Sequence, residues 1–259
     1  MSARVARAAP PGFYDPARGF VNPDLDPTTA AANGVNGAPA RISLSFPVTV
    51  RRGVKRVTRY VTRRTINDRG QPLVRASLTT LEGAPIAAAR VWLATAERDR
   101  PWQLSGPFVT TGDGIADIRL PAGAPRRLRL VYFPQANTNG HAESPSISLR
   151  VRVPVSLHRS RKTVPPRGRV TLTAHIRRDV FTDQQTIIGT LQVLQRGRWT
   201  TFRSARFPAT TGRWSTALRF DRSRPGTRFR FRIRIPTQPA MRYSTGTSTV
   251  RVITLRTRS

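Results

Sequence analysis

Between Thr227 and Ile235 the chain runs Thr-Arg-Phe-Arg-Phe-Arg-Ile-Arg-Ile, with arginine in strict alternation with a large apolar side chain. Successive side chains of an extended strand point to opposite faces of its sheet. The alternation therefore sets Phe229, Phe231, Ile233 and Ile235 on one face and Arg228, Arg230, Arg232 and Arg234 on the other. That is a half-buried strand with a cationic outer surface. The same device recurs at Arg127-Leu-Arg-Leu-Val-Tyr132 and Ser148-Leu-Arg-Val-Arg-Val153, so the chain reads as antiparallel sheets with arginine on their solvent side.

From Ile42 onward, short apolar or alternating runs are separated by turn residues. The expected strands are Ile42–Val50, Val54–Thr62, Leu73–Thr79, Ala89–Ala96, Ile115–Leu120, Arg127–Phe133 and Ser146–Val153. No helical apolar period competes with them. The second half repeats the plan at an offset near one hundred residues: Thr110-Thr111-Gly112 is answered by Thr210-Thr211-Gly212, and Leu128-Arg-Leu130 by Phe229-Arg-Phe231. A unit of about one hundred residues with some seven short strands has the size and rhythm of an immunoglobulin-like sandwich. The expected architecture is all-β, with two tandem immunoglobulin-like β-sandwich domains over 41–153 and 154–259. A short joint near Val153-Pro154-Val155 favours a rod. Residues 1–40 carry six prolines and two Asn-Gly pairs and read as an extended or disordered leader, whose Phe13, Tyr14 and Phe20 could dock on a neighbouring domain. The expected core includes Ile118, Leu128, Leu130, Leu191, Val193, Phe229, Phe231 and Ile233.

The chain holds 45 basic and 13 acidic residues, a formal charge of +32, and all its cations but Lys55 and Lys162 are arginine. A coding sequence rich in G and C also favours arginine over lysine, so the ratio alone names no ligand. The charge itself attracts DNA, anionic lipid or acidic wall polymer at low salt, and arginine's planar fork suits bidentate contact with phosphate, sulfate or carboxylate. There is no cysteine, which excludes disulfides and thiolate chemistry. The opening residues lack the apolar core of a secretion signal, and no run of about 18 apolar residues occurs to span a membrane. The chain either stays inside the cell or is the tail of a larger exported protein whose signal lies outside these residues.

Motif by motif, the sequence nominates no catalytic constellation. His141, His158 and His175 are isolated, and Asp113 and Asp117 fit a turn with Asp113-Gly114 at its tip better than a calcium loop. Gly-x-Ser-x-Gly and the phosphate-cradling Gly-x-x-x-x-Gly-Lys are both absent, and the carboxylates are too dispersed to pair. No catalytic, cofactor or metal residues are therefore assigned. The tryptophans Trp92, Trp102, Trp199 and Trp214 read as core or rim packing, with a sugar-stacking row as the alternative. Arg51-Arg52, Lys55-Arg56, Arg63-Arg64 and His158-Arg-Ser-Arg-Lys162 approach the contiguous basic runs of nucleic-acid arms. The polyanion-binding candidates are Arg228, Arg230, Arg232, Arg234, Arg159, Arg161 and Lys162.

Glu82-Gly-Ala-Pro-Ile-Ala-Ala-Ala-Arg-Val91, followed by Val109 to Gly123, resembles the carboxypeptidase regulatory-like domain, with Ala87-Ala88 in place of that family's usual glycine. Leu191 to Phe202, with Tyr243-Ser-Thr-Gly246, is similar to the arginine-rich immunoglobulin-like repeats of exported proteins from high-GC Gram-positive bacteria. The resemblance implies a noncatalytic, monomeric spacer or adhesion module of a longer exported chain, at the cell surface or in the envelope. Its expected partner is an anionic wall polymer or polysaccharide, bound weakly and electrostatically. A cationic protein binding nucleic acid nonspecifically and a carbohydrate-binding module stand as alternatives.

Overall fold

The computed structural model describes residues 14–15, 19–24, 40–98, 100–135, 140–181, 186–220, 225–239 and 241–256, whose regular structure is strand apart from one short 3-10 segment. The protein is all-β. It forms two compact units, Met1–Arg150 and Val151–Ser259.

The first unit contains β1 (Tyr14–Asp15), β2 (Gly19–Phe20), β3 (Ala40–Arg52), β4 (Lys55–Val61), β5 (Arg63–Ile66), β6 (Leu73–Thr80), β7 (Arg90–Glu97), β8 (Gln103–Val109), β9 (Ile115–Arg119), β10 (Arg126–Tyr132), β11 (Ala142–Glu143) and β12 (Ile147–Val151). One sheet runs β4-β3-β6-β9 and the other β5-β12-β10-β7-β8, with β11 beside β10. Leu44, Phe46, Val74, Leu78 and Ile118 from the first sheet meet Val91, Leu93, Leu128, Leu130, Ile147 and Leu149 from the second in one buried core.

The second unit contains β13 (Val155–Arg159), β14 (Thr163–Val164), β15 (Arg169–Ile176), β16 (Ile187–Gln195), β17 (Arg198–Phe207), β18 (Arg213–Arg219), β19 (Arg228–Ile235), β20 (Gly246–Thr247) and β21 (Arg251–Leu255). Its sheets run β13-β15-β18 and β14-β21-β19-β16-β17, with β14 parallel to β21 and the other pairs antiparallel. The first strand is thus divided between both sheets. Three strands facing five, in this order, form an immunoglobulin-like sandwich, and the first unit has the same order when β4 is set aside.

Hydrogen bonds fix the correspondence between the units. The amide of Leu130 donates to the buried Ser144 hydroxyl at 2.9 Å, and that of Ile233 to the Ser248 hydroxyl at 3.0 Å. Leu78 accepts from Ile86 and donates to Gly114, while Ile176 donates to Gly212. Both glycines have positive φ, +69° and +59°, and a Cβ there would overlap the carbonyl oxygen of Leu78 or Ile176, so only glycine fits this turn. The true offset is therefore 98 residues at these glycines and 103 at Leu130 and Ile233, where the sequence suggested a constant one hundred. Leu128 and Leu130 correspond to Phe231 and Ile233, two positions beyond the sequence pairing. A slip of two keeps every side chain on its own face, which is why the repeat was visible despite the wrong register.

Most of the expected leader, residues 1–13, 16–18 and 25–39, lies outside the described residues. Its aromatics Tyr14 and Phe20 pack on the outer face of the five-stranded sheet of the first unit, where Phe20 is 1% exposed against Trp92, Ala94, Leu104, Val131 and Phe133. Asn22 donates to the Gln135 carbonyl, and Asp24 pairs with Arg90 at 3.0 Å.

One element has no counterpart in the second unit. Strand β3 pairs with β6 only from Ala40 to Ser45; from Phe46 to Arg52 its partner is β4, closing on the two-residue turn Gly53-Val54. Pro47 has no amide hydrogen to offer a neighbour, and it stands where β3 leaves the sheet. The result is a two-stranded ribbon with β4 exposed almost throughout. In the second unit, Ser160, Arg161 and Lys162 alone make the corresponding connection.

Candidate functional site

Strand β19 has the face assignment that its alternation dictates. Phe231, Ile233 and Ile235 are buried, while Arg228, Arg230 and Arg234 are exposed. Phe229 is only half-buried, because it lies near the start of β19, at one open end of the sandwich. There it lines a cleft of about 290 Å³ with Phe202, Leu218, Phe220 and Phe231.

Arg232 is held more firmly than its neighbours. Its Nε donates to the Gln192 side-chain oxygen at 2.8 Å, and its guanidinium carbon lies 4.1 Å from the Trp199 ring centroid. Desolvation and the adjacent Arg234 charge both push its pKa down. The first unit repeats the arrangement at the corresponding strand positions, with the Arg129 guanidinium 5.0 Å from the Trp102 ring. Arg127 approaches the same ring at 5.3 Å. An arginine over a tryptophan is therefore a device of both units, and sequence reasoning missed it because Trp199 and Arg232 are on different strands.

The other candidates fall at one end of the same sheet. Arg161 and Lys162 are exposed in the connection between β13 and β14, and the Lys162 carbonyl accepts from the Thr254 amide. Thr254 faces Arg228 across the next ladder. Lys162 and Arg228 thus stand two strand spacings apart, about 10 Å. Arg159 is turned inward toward the backbone and donates to the Val252 carbonyl at 2.8 Å, so it anchors strands and contributes less to the surface. The second unit carries 24 of the 45 basic residues and 3 of the 13 acidic ones. Its outer sheet face is a field of arginine with few counter-charges.

The tryptophans do not make a sugar-stacking row. Trp92 is buried, Trp102 is packed beneath Phe20, and Trp199 and Trp214 belong to different sheets. Among the described residues, no three His, Asp or Glu side chains gather where they could hold a metal ion. Asp113 and Gly114 form the expected turn, with the Gly114 amide bonded to the Thr111 carbonyl.

Neither a protein-family model nor a curated protein matches the chain. Among solved structures, similarity is found to FdeC, a broadly conserved Escherichia coli adhesin, at 10% identity over 87% of this chain and 66% of that one, with a TM-score of 0.34. Escherichia coli alpha-2-macroglobulin activated by porcine elastase is similar at 9% identity over 85% of this chain and 24% of that one, with a TM-score of 0.31. The Yersinia pseudotuberculosis adhesin InvE is similar at 9% identity over 83% of this chain and 58% of that one, with a TM-score of 0.30. The chain spans less than two thirds of each of these proteins.

Proposed function

We propose that the protein is a noncatalytic surface module that binds an anionic envelope polymer or polysaccharide through the arginine face of its second unit. The observation that carries this reading is the outward row Arg228, Arg230, Arg232 and Arg234 on β19, with Arg161 and Lys162 at the same end of the sheet. Multiple guanidinium groups at strand spacing suit repeating phosphate, sulfate or carboxylate groups, each contact being weak and the sum salt-dependent. The same face would hold nucleic acid nonspecifically, whereas the absence of an exposed tryptophan row disfavours a sugar-stacking module.

The test is retention of the full chain on cell-wall fragments before and after their anionic polymers are stripped, across a salt series. Retention should fall steeply with salt, vanish on stripped walls, and be lost when Arg228, Arg230 and Arg234 are all changed to serine. Equal retention on stripped walls would overturn the reading. Protease shaving of intact cells adds the location: peptides released only after lysis would move the partner to an internal polyanion.

A further inference from the structure

We propose that the β3–β4 ribbon of the first unit is a membrane-contacting element, whose apex enters the headgroup region of an anionic lipid bilayer. This goes beyond the polymer-binding face, which belongs to the other unit.

The sandwich does not need the ribbon. The second unit joins its corresponding strands with three residues, whereas here the chain goes out from Phe46 to Arg52 and returns from Lys55 to Val61, a reach of about 20 Å. Nor is the ribbon built for its own stability. Arg51 lies directly opposite Arg56, and Arg52 opposite Lys55, and like charges in directly opposed positions destabilise a two-stranded pair. No carboxylate occurs from Arg41 to Asn67, and Asp117 near the base is taken by Arg75, which grips it at 2.7 and 2.8 Å and holds its carboxyl below the usual carboxylate range. The same Arg75 donates to the Tyr60 hydroxyl at 2.7 Å, fixing the root of the ribbon while its tip stays uncompensated.

The apex is what selects lipid. Gly53 takes φ +62°, and the next position of such a turn ordinarily carries a short polar residue. Val54 stands there instead, 98% exposed, more so than any other large apolar residue described. A soluble polyanion gives a valine at that point nothing to contact. A bilayer takes both parts: the valine leaves water at the boundary between headgroups and acyl chains, and Arg51, Arg52, Lys55 and Arg56, all within three residues of it, lie inside one Debye length of the anionic surface. The exposed Val57 extends the apolar surface behind the apex. Because the two ribbon faces carry cations at successive positions, the geometry fits tip-first entry with headgroups on both sides.

The chain has no cysteine, so Val54→Cys in the full chain gives a unique site for an environment-sensitive fluorophore. With phosphatidylcholine vesicles containing phosphatidylglycerol, the label should shift to the blue and be quenched by lipid-borne quenchers, and with pure phosphatidylcholine it should do neither. Arg51, Arg52, Lys55 and Arg56 changed together to serine should weaken vesicle binding on the order of a thousandfold, and Val54→Ser about fivefold. Unchanged melting would show that both variants remain folded. A label that stays in a water-like environment on anionic vesicles would overturn the proposal. So would a ribbon that binds soluble poly(glycerol phosphate) equally with Val54 or serine and ignores vesicles, since it then reads charge alone. The arginine variant of β19 should leave vesicle binding intact, so failure of the polymer reading and failure of this one are separable.

Discussion

The outer faces of the two five-stranded sheets have one framework and opposite surfaces. In the first unit the opposed pair Trp92 and Val131 is apolar; at the corresponding place in the second stand Thr190 and Arg234. Next along, Ala94 and Arg129 give way to Gln192 and Arg232, and Leu104 gives way to Thr201. The arginine-over-tryptophan stack survives in both. What differs is cover: Phe20 and Tyr14 sit over the apolar version, and the polar version has arginine facing outward. A sheet face is therefore not a property of the fold. Four or five side chains decide whether it receives the chain's own N-terminal segment or offers a cationic surface.

Exchanging those side chains should break the contrast most sharply. Val131→Arg would push a guanidinium beneath Phe20, opposite a Glu143 carboxylate that Arg129 already holds, at a cost of about 3 to 5 kcal/mol unless the segment around Phe20 is expelled. Chemical denaturation gives the first outcome and hydrogen exchange at residues 19–22 the second. The reverse change, Arg234→Val, should stay within about 0.5 kcal/mol, and a large loss there would show that the second face is structural after all. Inside the second sandwich, Phe231→Ala should cost about 3 to 5 kcal/mol, whereas Arg230→Ser on the opposite face of the same strand should be nearly neutral. Equal melting shifts for the two would contradict the face assignment.

The shared framework makes a more even prediction. Ser144→Ala and Ser248→Ala each strip a buried amide of its acceptor, and each should cost about 1 to 3 kcal/mol, by similar amounts in the two units. A large inequality would mean that the pairing of Ser144 with Ser248, and of Leu130 with Ile233, is wrong. The smallest effect is confined to the second unit. The Tyr243 hydroxyl is buried, lies 3.1 Å from an Asp179 oxygen, and has its pKa pushed up to about 12. Between the ordinary tyrosine value near 10 and this one, the folded state keeps a proton that the unfolded state releases. Its contribution is complete below pH 10 and declines as pH rises to 12, on the order of 1 to 2 kcal/mol in all. Tyr243→Phe should flatten that slope in a denaturation series.

Where one face meets water, the sequence told the structure plainly, because an alternation of period two has a single physical reading. That held for β19 and for the strands expected at Leu73 and Ile115. Two other stretches carry a different signal. In Val91-Trp92-Leu93-Ala94 and again in Leu130-Val131-Tyr132-Phe133 the alternation fails, and a continuous apolar run means a sheet covered on both sides. The cover, Phe20, lies among prolines more than seventy residues away; its apolar ring marks it as able to dock, as it does, but no local pattern names the face it covers. Strand β8 escaped notice because Gly106-Pro107 interrupts it. Residues 55–61 were legible as a strand yet not as a ribbon, since an element with water on both faces has no inner side to encode. The candidate cations on β19 were readable one by one, but their meeting with Lys162 depends on the parallel β14–β21 ladder, a contact across more than ninety residues.

The length of β3 has a mechanical meaning. One uninterrupted strand is ribbon at its far half and sandwich at its near half, so a tug on the tip travels along covalent bonds straight into the β3–β6 ladder. Drawn along the strand axis, the hydrogen bonds between Ala40–Ser45 and Arg75–Thr80 share that load at once, whereas a peeling force would open them singly. Whatever the tip holds, it holds by a handle forged into the wall of the domain.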